Sequence, residues 1–104
     1  MSLLLPKGRK IGRVKPKRLV DKSHLARVAE KACCCCRRWP VEVHHLLRGP
    51  FIRGTGRKSG DNWCIPMCTE CHRGLHGLGN ETEYLEAWHV DGPALALELW
   101  ANSK

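Results

Sequence analysis

Aromatic residues are scarce in this 104-residue chain, which has one Phe, one Tyr and four Trp. Its core must therefore draw on Leu, Val, Ile and Ala together with the four tryptophans. No apolar run approaches the ~18 residues of a transmembrane helix. Leu3-Leu4-Leu5 has no charged residue before it and is too short for a secretory signal. Both absences predict a soluble, cytoplasmic protein. Acidic residues are also sparse at first: Met1 to Arg73 carries 17 basic and 5 acidic side chains, a balance of +12. Gly74 to Lys104 carries 1 and 5, a balance of −4. A basic body with an acidic end points to nucleic acid before an anionic membrane. Cysteine, by contrast, is plentiful. Seven is an odd count, which disfavours a secreted disulfide framework. A thin core calls for a staple, and in a reducing compartment that staple is a metal.

Residues 1–20 alternate Lys and Arg with Gly, Pro and small residues, without helical or strand period. They read as a disordered basic arm that orders on contact with phosphates. Residues 21–104 form the domain, with a core over about 33–77 and C-terminal helices over about 82–102. Asp21-Lys22-Ser23 offers N-caps for a helix His24–Ala32 whose apolar face is Leu25, Val28, Ala29 and Ala32. The segment 41–47 reads as a strand, and 48–60 as a glycine-rich loop. Asn62–Pro66 reads as a second strand ended by Pro66. Met67–His76 reads as a helix capped by Gly77. A charged helix follows over Thr82–His89, and Asp91-Gly92-Pro93 opens a last one carrying Leu95, Leu99 and Trp100. The fold class is α+β.

Two constellations carry chemistry. Cys33-x-x-Cys36 and Cys68-x-x-Cys71 have the spacing of two knuckles that close a tetrahedral Zn²⁺ site. The run Cys33 to Cys36 makes the first match automatic, so its register stays open, and Cys34, Cys35 and Cys64 are left without a task. The second constellation is His44-His45 with His72-x-x-x-His76. Positions i and i+4 share a helical face, so His72 and His76 can chelate one divalent ion. One of His44 and His45 supplies a third ligand, and the other is a candidate general base.

The order Cys-x-x-Cys, Val-Glu-Val-His-His, Lys-Ser-Gly-Asp-Asn-Trp, Ile-Pro-Met-Cys-x-x-Cys-His-x-x-x-His resembles the HNH endonucleases. The likeness is to small phage and prophage members related to RecA-dependent recombination-enhancement nucleases, and covers about residues 30–100. It implies a zinc-stapled ββα-metal core. His44, His72 and His76 would hold a catalytic Mg²⁺, Mn²⁺, Ni²⁺ or Zn²⁺, and His45 would be the base. Asn62 would orient that base, its partner being a backbone carbonyl nearby. Cys33, Cys36, Cys68 and Cys71 would hold structural zinc. Arg53, Arg57, Lys58 and Arg73 would contact the DNA backbone. The implied activity is metal-dependent DNA cleavage or nicking to 5′-phosphate and 3′-hydroxyl ends, in phage DNA processing or recombination, and the implied partners are DNA and a RecA-like filament or other recombination protein. Two rivals remain: a zinc-stabilised nucleic-acid-binding module without catalysis, and a structural interaction protein of the same machinery.

Overall fold

The computed structural model describes residues 18–50 and 59–103. The basic arm, save Arg18 to Val20, and Arg53, Arg57 and Lys58 lie outside the described residues. The elements run α1 (Lys22–Ala29), β1 (Glu42–His45), β2 (Cys64–Met67), α2 (Thr69–Leu78), α3 (Glu81–Ala87) and α4 (Gly92–Asn102). The expected α+β class holds.

Each helix begins on a side chain that accepts one of its unpaired N–H groups. Asp21 caps α1 and Asn80 caps α3, while Asp91 caps α4 just before Pro93. In α2 the cap is the Cys68 sulfur, which accepts the Cys71 N–H. The first helix starts two residues earlier than expected and stops at Ala29, where Glu30 N–H turns back to the Arg27 carbonyl. Its buried face is His24 and Val28 rather than a purely aliphatic stripe.

β1 and β2 form an antiparallel ribbon pairing Glu42 with Met67, Val43 with Pro66, His44 with Ile65 and His45 with Cys64. Pro66 does not end the second strand, contrary to expectation. The Leu46 N–H reaches the Trp63 carbonyl at 2.9 Å, and the alternation of an antiparallel ladder then makes Val43–Pro66 a non-hydrogen-bonded pair. The missing proline N–H is thus not required, and the Pro66 carbonyl accepts the Cys34 N–H instead. Met67 belongs to this strand, so α2 begins after Cys68. It runs through Gly77 and ends at Gly79, whose φ of +80° suits glycine.

Leu46, Ile65, Met67, Leu75, Leu85 and Ala96 pack with Cys33, Cys35, Cys68 and Cys71 into one core. The helix α4 approaches closely at Gly92, where a Cβ would lie 3.0 Å from Leu85 Cδ1 and 3.1 Å from Leu46 Cδ2. The tryptophans contribute less than their volume suggested. Trp39 and Trp88 are exposed, and Trp63 and Trp100 are half-buried. None of the described helices is long and apolar enough to cross a membrane.

Candidate metal centres

The knuckle after α1 and the start of α2 bring the sulfurs of Cys33, Cys36, Cys68 and Cys71 within 4.8 Å of one another. Zn–S bonds of about 2.3 Å put tetrahedral sulfurs about 3.8 Å apart, and Cys36 and Cys68 lie at 3.5 Å. The ends of the cysteine run converge on this group, while the middle pair, Cys34 and Cys35, face each other at 3.8 Å. Backbone N–H groups of Cys35 and Cys71 point at the Cys33 and Cys68 sulfurs. Burial opposes the Cys33 thiolate, yet backbone N–H groups at Cys68, Cys36 and Cys35 outweigh it and bring its pKa to about 6. Four sulfurs at this spacing suit one zinc ion.

The second centre lies where β1 meets α2. His44 Nδ1 is 3.0 Å from His72 Nε2, and His76 Nε2 is 3.2 Å from the same atom. Zinc–nitrogen bonds of 2.0–2.1 Å place tetrahedral nitrogens about 3.3 Å apart. The remaining nitrogens meet carboxylates: His44 Nε2 donates to Glu81 at 2.7 Å, and His72 Nδ1 to Glu42 at 2.6 Å. An acceptor-only carboxylate assigns the ring proton to the nitrogen facing it. The lone pairs of His44 Nδ1 and His72 Nε2 therefore point at one spot, as in carboxylate–histidine–metal arrangements. Desolvation, with His72 and His44 close by, pushes the His76 pKa below its ordinary value. The donor set fits a divalent ion.

Glu81 deserves its place in this centre because of how it is held. It is 4% exposed, and besides His44 it accepts the Leu47 N–H at 2.9 Å and the Arg48 N–H at 3.0 Å. Burial opposes its charge, but these donors prevail and lower its pKa. Glu42 is lowered as well, chiefly by its hydrogen bond to His72.

On the other side of the ribbon, His45 Nε2 meets Asp61 Oδ1 at 2.8 Å. The partner of His45 is thus a carboxylate, not the backbone carbonyl expected near Asn62. Asn62 folds its Oδ1 back over Gly60, where a Cβ would sit 2.6 Å away. Asp61 is 1% exposed and also accepts Arg18 Nη2 at 2.7 Å and the Asp21 N–H at 2.8 Å. His45, Asp61 and Cys64 form a third converging group, but the Arg18 guanidinium already supplies positive charge there. Arg73 is exposed on α2.

Sequence reasoning missed Glu42, Glu81, Asp61 and Arg18. Glu42 left a signal, since it shares a strand face with His44 two residues on. Glu81 falls just before the helix expected over Thr82–His89, and its contact with His44 spans 37 positions.

A family model described as "Protein of unknown function (DUF968)" matches residues 9–100. Over 51 residues the chain is 39% identical to the type IV methyl-directed restriction enzyme EcoKMcrA of Escherichia coli (strain K12). That stretch is 49% of this chain and 17% of the enzyme, so the likeness covers a small part of the larger protein. No solved structure matches.

Proposed function

The chain belongs to the DUF968 family, and from its two centres we propose that it is a metal-dependent DNA endonuclease or nickase of HNH type. The observation that carries this is the convergence of His44, His72 and His76 on one point, with carboxylates behind two of them. The partial likeness to a restriction enzyme supports the same class of chemistry. A divalent ion held by the three imidazoles would supply Lewis-acid polarisation of a phosphate oxygen and offset charge on the leaving oxygen.

The chain's own residues do the rest. Glu81 and Glu42 hold the two ligand rings in the tautomers that offer a lone pair. His45 is the base that takes the proton of the attacking water, and Asn62 shapes the loop that carries the base's partner. Cleavage would leave 5′-phosphate and 3′-hydroxyl ends. The basic segment before Arg73, with Arg53, Arg57, Lys58 and Arg73, would bind phosphates, and the four-cysteine centre with zinc would hold the small domain together. Such an activity suits phage DNA processing or recombination in a bacterial cytoplasm, alone or beside a RecA-like filament.

A plasmid-nicking assay with Mg²⁺, Mn²⁺, Ni²⁺ or Zn²⁺ tests this, comparing the wild type with His45→Ala. Nicking by the wild type and a drop of at least ~100-fold in the variant are expected. Equal cleavage would remove His45 as the base. No cleavage with any ion would leave a binding module.

A further inference from the structure

Arg18 to Asp21, just before α1, is fastened to Ser59 and Asp61, just before β2. The Arg18 Nε–H donates to the Ser59 carbonyl at 2.9 Å, and the Asp61 N–H to the Leu19 carbonyl at 2.9 Å. One Asp61 oxygen, Oδ2, accepts the Asp21 N–H at 2.8 Å, while the other, Oδ1, faces both Arg18 Nη2 and His45 Nε2. A buried carboxylate that receives three donors from two distant segments of the chain is more than a turn residue.

We propose that Asp61 is the positioning residue of the site: it orients the His45 ring, and through Arg18 it fixes the end of the basic arm beside that ring. The proposal rests on the nuclease reading for its catalytic meaning, but its geometry stands apart from activity.

The proton placement follows from donor and acceptor counts. Arg18 has donors only, and an ionised carboxylate accepts only. His45 Nε2 lies nearer to the Asp61 carboxylate, at 2.8 Å, than to Arg18 Nη2, at 3.1 Å, and an acceptor-only neighbour that close calls for a proton on Nε2; the two N–H groups then share Asp61 Oδ1, which has lone pairs for both. His45 then carries its proton on Nε2, and Nδ1 is left with the lone pair. Of the two ring nitrogens only Nδ1 can accept a proton from water, and Nε2 stays bound to Asp61 through the step. The water gives H⁺ to Nδ1, its oxygen attacks phosphorus, and the bond to the leaving oxygen breaks. Asp61 takes no proton in this step; it faces a ring that has become a cation, which its charge favours. The same carboxylate holds Arg18, so a basic residue near the end of the arm stands about 3 Å from the base.

Asp61→Asn keeps the size of the side chain but loses the charge, and its amide sets a donor against one of the three N–H groups. The expected result is a kcat for plasmid nicking lower by on the order of 100-fold with KM changed less than threefold. In long-range ¹H–¹⁵N spectra of the zinc-loaded protein, the His45 ring should be a single Nε2–H tautomer in the wild type and a mixture in Asp61→Asn. Arg18→Gln, which leaves the carboxylate in place, should keep the single tautomer, and it decides the matter if Asp61→Asn does not fold. An unchanged ring in Asp61→Asn, or a mixture in Arg18→Gln, overturns the positioning role whether or not the protein nicks. Failure of the wild type to nick with any divalent ion overturns the nuclease reading instead, and leaves the ring spectra to decide the role of Asp61.

Discussion

Replacing Glu81 by Gln perturbs the tie between α3 and the end of β1 without changing its shape. The wild-type carboxylate accepts from His44 Nε2, the Leu47 N–H and the Arg48 N–H. Hydrogen bonds to a charged group are worth about 1 kcal/mol more than neutral ones, so three of them lose about 3 kcal/mol. The glutamine amide also turns a donor toward one of these N–H groups, which leaves it without an acceptor and costs about 1–2 kcal/mol. Burying the carboxylate carries a desolvation penalty that the variant escapes, so the net loss is about 2–4 kcal/mol. That is a large share of the ~5–15 kcal/mol that holds a small domain. Equilibrium urea unfolding of the zinc-loaded protein reads it as a lower midpoint at unchanged slope.

The same substitution frees the His44 ring. Affinity of the histidine centre for a divalent ion, measured by competition with a chromophoric chelator, should fall by about 10–100-fold. The pH dependence has a definite sign. The folded-state pKa of Glu81 is lowered, so its contribution is present above the unfolded carboxylate value of about 4.3 and is lost as pH falls through the folded value. The wild type should therefore lose its advantage over the variant below about pH 4.3. A stability loss under ~1 kcal/mol, together with unchanged ion affinity, would refute the argument that Glu81 supports the centre.

Other outcomes follow from the same geometry. Metal analysis after mild chelation should find about one zinc per chain, and Cys68→Ser, which removes a thiolate while its hydroxyl can still cap α2, should abolish it and lower Tm. Gly92→Ala puts a methyl 3.0 Å from Leu85 Cδ1 and should cost about 1–3 kcal/mol in urea unfolding by overpacking. Deleting residues 1–17 should weaken DNA binding and flatten its salt dependence; an unchanged slope would show that the arm does not reach phosphates.

The parts of this protein legible in its sequence were those governed by local chemistry. Asp21 and Asp91 announce their helices as caps, Pro93 marks a first turn, and Cys-x-x-Cys and His-x-x-x-His are spacings that need no tertiary knowledge. Boundaries failed where a distant contact decides them. Pro66 sits in a strand because its partner Val43 asks for no hydrogen bond there. Gly77 stays helical because Gly79, two residues later, takes the left-handed position. The buried carboxylates were illegible for the same reason: Glu81 and Asp61 gain their meaning from His44 and His45, 37 and 16 residues away. His24 opens a helix in the sequence without any sign of its partners, yet it is buried against Trp100 and Ser103 at the far end of the chain. Spacing finds ligands; it does not find what holds them.

The claim that His44, His72 and His76 form a catalytic metal centre is tested most directly by the rate of plasmid nicking as a function of added Mn²⁺. Wild type and His72→Ala should be compared, each with its zinc verified. The wild-type rate should rise to a plateau, and the variant's should be at least ~100-fold lower at the same ion concentration with its zinc still bound. Superimposable curves for the two proteins would contradict it.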